Sequence, residues 1–162
     1  MTEWITAVTV LSVSPIQEDH SALERCLAPQ CGGGCIWTLR SCLTFESALS
    51  RLREGVPIVV SESDLRPATW RDLLQYVSLL PDPPPVIVTS RLADEHLWAE
   101  ALNLGAYDVL AKPFNNDEVR RVLESAWRYW VNRHSIVFSR PAGAPQAVCE
   151  SKERNHGGDH SH

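Results

Sequence analysis

The stretch PPPVIVTSRLADEHLWAEALNLGAYDVLAKPF, from Pro83 to Phe114, decides the fold. Its prolines end a turn (Pro81 to Pro85) that forbids helix. Val86-Ile87-Val88-Thr89 is a short apolar, β-branched run, the pattern of a buried strand. Asp94 is placed to cap a helix running to Leu104, and Gly105 supplies its stop. Tyr107 to Ala111 is a second apolar strand. A strand, a helix and a strand in this order predict a parallel pair joined by a helical crossover.

Working outward, the same alternation continues. Ala7 to Val13 (AVTVLSV) reads as a first buried strand. Ser14-Pro15-Ile16-Gln17 has the form of an S-x-x-Q capping box with proline at the first helical position, which predicts a helix to about Leu27. Pro29 to Gly34 breaks the chain, and Ile36 to Cys42 is a weaker second strand. Phe45, Ala48, Leu49 and Leu52 follow at helical spacing, up to Gly55. Pro57 to Ser61 is a short third strand, and Trp70, Leu73, Leu74 and Val77 mark another helix. Asp117 opens the last helix, whose stripe is Val119, Val122, Leu123, Ala126, Trp127 and Trp130. Five strands alternating with five helices predict a doubly wound five-stranded parallel sheet, covered on both faces. From Ser139 the chain is rich in Pro, Gly, Ser, His and charge, with little to bury. The organisation expected is one domain over 1–134 and a disordered, histidine-containing tail over 135–162.

Bulk properties exclude several classes. Hydrophobic residues make up 44% of the 162 and the formal net charge is −5. A negative chain is a poor partner for nucleic acid or an anionic membrane. No apolar run reaches the roughly 18 residues that span a bilayer. Met1-Thr2-Glu3-Trp4 lacks the positive region of a signal peptide. An odd number of cysteines (Cys26, Cys31, Cys35, Cys42, Cys149) argues against a disulfide framework. A cytoplasmic location is therefore expected.

In an open sheet of this kind, ligands bind beyond the carboxyl ends of the strands. The residues there are Ser14-Pro15, Ser61-Glu62, Ser90-Arg91 and Lys112-Pro113. With these in view, the segment Pro83 to Phe114 resembles the second half of a bacterial response-regulator receiver domain. That family has a strand ending in Thr or Ser, a helix, Gly-Ala, and a strand ending in Lys-Pro-Phe. The resemblance extends from Val8 to Val131, in element order more than in residues over the first half. It implies a flavodoxin-like (βα)5 fold with strand order 2-1-3-4-5, in a two-component signalling setting.

The resemblance also implies site roles, position by position. The family's phosphoacceptor aspartate corresponds to Glu62, counted back from Trp70-Arg71-Asp72-Leu73-Leu74. The two acidic residues that hold Mg²⁺ in the family correspond to Ser14 and Pro15, and both have been lost. The hydroxyl and lysine that contact the phosphoryl oxygens correspond to Ser90 and Lys112, both retained. The Lys112–Pro113 bond is usually cis in the family. The aromatic switch position corresponds to Val109, which has no ring. Mg²⁺ needs oxygen ligands, usually including carboxylates, so the Mg²⁺ site is expected to be lost and no cofactor is expected. Glutamate is also a methylene longer than aspartate, which misplaces its oxygen for in-line attack. Glu62 then becomes an ion-pair partner for Lys112, or a fixed mimic of the phosphorylated state.

Other motifs carry less. The spacing C-x₄-C-x₃-C-x₆-C fits structural zinc poorly. Gly32-Gly33-Gly34 leads into a strand and lacks a following Lys-Ser or Lys-Thr, so it is no phosphate loop. His156, His160 and His162 lie in the tail. Trp98, Trp127, Tyr129 and Trp130, with Arg128 and Arg133, suggest a protein-binding face on the last two helices and the strand between them, with a homodimer as one form. The leading expectation is a stand-alone, non-enzymatic pseudo-receiver acting by protein contact. A phospho-accepting receiver using Glu62 or Asp64 is the alternative, and an unrelated flavin- or nucleotide-binding protein is a third.

Overall fold

The computed structural model describes residues 6–29 and 34–138, with the side chains of 135–138 excepted. The elements are β1 Thr6–Val13, α1 Gln17–Cys26, β2 Cys35–Cys42, α2 Phe45–Glu54, β3 Ile58–Glu62, α3 Trp70–Ser78, β4 Val86–Ser90, α4 Glu95–Asn103, β5 Asp108–Ala111 and α5 Asn116–Phe138. The strands form one sheet in the order β2-β1-β3-β4-β5. Every pairing is parallel. This is the doubly wound architecture that the alternation predicts.

The two faces of the sheet bury separate layers. Leu11, Val13, Val59 and Val88 pack with α2, α3 and α4 through Ala48, Leu52, Leu73 and Ala101. Val8, Val10, Ile58 and Ile87 pack with α1 and α5 through Leu23, Val119, Leu123 and Ala126. Strands β3 and β4 are buried at every residue, as a doubly covered sheet requires. The edge strand β2 alternates instead, which is why its sequence signal is weak. Gly55 and Gly105 have φ of 89° and 101°, a conformation that favours glycine, and both follow helix ends.

Asp94 caps α4, its Oδ1 accepting from the Leu97 amide at 2.9 Å. Two local readings need correction. The expected Ser14–Gln17 capping box does not form: Ile16 is the N-cap residue and no side chain caps α1. Helix α5 begins at Asn116, and Asn115 Oδ1 accepts from the Glu118 amide at 3.1 Å. Helix α5 also runs to Phe138, past the domain boundary expected at 134. The remaining tail, with Cys149 and the three histidines, lies outside the described residues, as do Cys31, Gly32 and Gly33.

Candidate functional site

The parallel register brings four loop starts to one edge of the sheet. Val13 pairs with Ser61, Glu62 with Thr89, and Ser90 with Ala111. Ser14, Glu62, Ser90 and Lys112 therefore meet at the carboxyl ends of β1, β3, β4 and β5. Ser14, Glu62, Thr89 and Ser90 are all buried.

Lys112 is the centre of the cluster. Its ammonium donates to Asp19 Oδ2 at 2.6 Å and forms a second ion pair with Glu62 Oε2. The three side chains are 6%, 10% and 7% exposed, so this is a buried triad of two carboxylates and one cation. Glu62 Oε1 also accepts from Ser63 Oγ and from the Asp64 amide, both at 3.2 Å. The Lys112–Glu62 pair is the one read from the sequence, and the Lys112–Pro113 bond is cis.

Asp19 is the residue that sequence reasoning missed. It accepts from Ser14 Oγ at 2.7 Å, and Ser14 Oγ in turn accepts from the Ile16 amide at 3.1 Å. Serine 14 thus serves the cleft and not a capping box. Behind it lies His20, 1% exposed. His20 Nε2 lies 2.9 Å from the Ser14 carbonyl, which can only accept, so Nε2–H donates. Its Nδ1 lies 2.8 Å from Ser12 Oγ. A usable signal existed. Asp19 and His20 lie four and three residues before Leu23, on the apolar face of α1, where a polar pair needs partners.

The other singled-out residues are placed as follows. Ser90 Oγ accepts from the Leu92 amide at 3.1 Å, so its hydroxyl serves its own loop. Pro15 is exposed and offers no donor or carboxylate. Asp64 pairs with Arg66 at 3.1 Å, with its side chain 71% exposed. Val109 is fully buried in the layer beneath α2, α3 and α4. Trp127 packs against the α1–α5 layer. Trp98 and Tyr129 are exposed, while Trp130 stacks on His134 with ring centroids 3.9 Å apart. Cys26 and Cys42 belong to opposite core layers, which takes Cys42 away from any common metal site. Burial pushes the thiols of Cys26 and Cys35 above the ordinary range.

Beside the triad is a cleft of about 430 Å³, between α1 and the loops that follow β4 and β5. Ala22, Pro113 and Phe114 line it, with Arg25 and Arg91 also present. Among the described residues, no group of three or more His, Cys, Asp or Glu is placed to hold a metal.

Solved structures of similar architecture include receiver domains. The signal receiver domain of an HD domain-containing protein from Pseudomonas fluorescens superposes with TM-score 0.69 at 23% identity, covering 83% of this chain and 95% of that one. The chemotaxis response regulator CheY4 of Vibrio cholerae superposes with TM-score 0.65 at 16% identity, over 75% and 99%. This chain has the receiver-domain fold. The transcriptional regulatory protein FixJ of Bradyrhizobium diazoefficiens is 31% identical over 106 residues, 65% of this chain and 46% of FixJ. The chain thus spans under half the length of this curated relative. No family model matches the chain. Among the described residues, no helix is long and apolar enough to cross a membrane.

Proposed function

We propose that this chain is a pseudo-receiver: a response-regulator-type signalling module that works without phosphoryl transfer and acts by binding another protein. One observation carries the reading. The carboxylate at the acceptor position, Glu62, is buried and already paired with Lys112, which is shared with Asp19. A phosphoryl group arriving there would meet two carboxylates whose shared ammonium is already engaged, and repulsion would oppose it.

The Mg²⁺ that such transfer uses does not suit these residues. Ser14 and Pro15 provide no charge, Ser14 Oγ donates to Asp19, and the two nearby carboxylates share an ammonium. Asp64 is a poor substitute acceptor because it faces solvent and pairs with Arg66. Among the described residues, Cys26, Cys35 and Cys42 are free thiols, which fits a reducing, cytoplasmic setting.

The contact surface that fits best is the α4–β5–α5 side. Trp98, Leu102, Leu104 and Tyr129 are all at least 37% exposed there. Tyr129 is held by Tyr107 (centroids 5.5 Å apart) and by Arg133, 5.4 Å over its ring. Rigid aromatics beside arginine make efficient anchors for a partner or a second copy.

The test is incubation with Mg²⁺ and a small acyl-phosphate donor, read by intact mass. The expected result is no phosphoryl adduct. A stoichiometric adduct that disappears in Glu62→Gln or Asp64→Asn would overturn the proposal.

A further inference from the structure

We propose that Lys112 is the resident cation of the cleft and that Asp19, supplied from α1, is the positioning residue that holds it there. This rests on the reading of the cleft as one without phosphoryl chemistry, and it names what replaces the metal.

The geometry is that of a small cation site filled by a side chain. Two buried carboxylates from different elements, Asp19 on α1 and Glu62 on β3, converge on one ammonium. Each carboxylate has further donors: Ser14 Oγ shares Asp19 Oδ2 with the ammonium, and Ser63 Oγ and the Asp64 amide hold Glu62 Oε1, the oxygen away from it. Such donors hold the carboxylate oxygens in position whether or not the ammonium is present. The ammonium lowers the repulsion between the two acids, as a metal ion would. The low exposure of all three side chains limits the water that screens these charges. Ser14 is itself pinned through its carbonyl by His20. The chain from His20 through Ser14 and Asp19 to Lys112 therefore ties α1 to the loop after β5.

A lysine on its own would not be held this way. With Asp19 neutralised, Glu62 would be the sole charged partner of Lys112, and the flexible ammonium would reach solvent more often.

Acetylation kinetics test this directly, because the chain has only two lysines, Lys112 and Lys152. The protein is treated with an amine-reactive acetyl donor and Lys112 is followed by peptide mass mapping. Lys112 should react at least about tenfold more slowly in the folded chain than in the urea-unfolded chain, given its burial and double pairing. Asp19→Asn should raise the folded-state rate several-fold, with far-UV circular dichroism confirming the fold. Equal rates in folded and unfolded wild type, or an unchanged rate in Asp19→Asn, would overturn the proposal.

A second measurement vacates the position. Lys112→Ala should bind Mn²⁺, followed by water-proton relaxation, at least about tenfold more tightly than wild type. Adding Asp19→Asn should abolish the gain. No gain, or a gain that survives Asp19→Asn, would contradict the assignment. Should Lys112→Ala not fold, the acetylation arms decide alone. A phosphoryl adduct on Glu62 would sink the proposed function while leaving slow Lys112 acetylation intact, so the two failures are distinguishable.

Discussion

Replacing Lys112 with methionine removes the ammonium, with its charge and its N–H donors, and keeps an unbranched apolar stem. It strands two carboxylates whose side chains are 7% and 10% exposed. Breaking a buried ion pair by deleting one partner costs about 3–5 kcal/mol, because the remaining charge stays desolvated. Here two charges are left, which pushes the cost up. Against that, Asp19 keeps its bond from Ser14 Oγ, and Glu62 keeps its bonds from Ser63 Oγ and the Asp64 amide. The adjoining cleft also lets water reach Asp19 with little rearrangement. These retained donors place the loss near the lower end, about 3 kcal/mol. For a domain of this size that corresponds to a fall in Tm of about 10 °C. Urea unfolding followed by far-UV circular dichroism gives the value, with the slope checked for two-state behaviour. Adding Asp19→Asn and Glu62→Gln to Lys112→Met should recover at least about 1 kcal/mol, since neutral amides cost less to bury unpaired. A Lys112→Met protein within 0.5 kcal/mol of wild type, the usual range for a surface change, would refute the buried-triad argument.

Other outcomes follow from local geometry. His134 faces two acceptors, the Trp130 carbonyl at 2.7 Å and the Asp82 carboxylate, so both ring nitrogens donate and the charged form is favoured. Its pKa is raised, first by the Trp130 carbonyl and then by Asp82. The resulting stabilisation is full below the ordinary histidine value and is lost as pH rises through the raised one. An NMR titration should show this shift, and Asp82→Asn should reduce it; an unshifted His134 would contradict the geometry. Asp94→Ala removes the one side-chain cap of α4 and should cost about 1 kcal/mol by urea unfolding. A loss below 0.3 kcal/mol would mean that the cap contributes little. Leu73→Ala should cost about 2–5 kcal/mol in the same assay, because Leu73 is fully buried on the inner face of α3; a loss under 1 kcal/mol would contradict that packing.

What the sequence made legible was decided by how local the determinants are. Val86 to Ser90 is buried on both faces, so its apolar run announces a strand without ambiguity. Gly105 sits at a φ of 101°, so the end of the helix before it is written in a single residue. Strand β2 lies at the edge, alternates in burial and was correspondingly faint. In the cleft, Glu62 and Lys112 could be found because each directly follows or ends an apolar strand. Asp19 could not be found in that way, since it comes from a helix and meets Lys112 only through the tertiary fold. The Ser14–Gln17 pattern misled for the same reason. A capping box is a local bargain, and the Ser14 hydroxyl is drawn instead to the buried Asp19 carboxylate. The aromatic residues separate similarly: Trp127 faces the core while Tyr129, two residues on, faces out, as helical geometry dictates.

The central claim is that the acceptor position is closed to phosphoryl-like ligands because the Glu62–Lys112–Asp19 ion pairs occupy it. The most direct measurement is the amide ¹H–¹⁵N spectrum of the protein with and without Mg²⁺ and beryllium fluoride, an unreactive phosphoryl mimic. Superimposable spectra are expected. Saturable shifts centred on Glu62, Ser90 and Lys112 would contradict it.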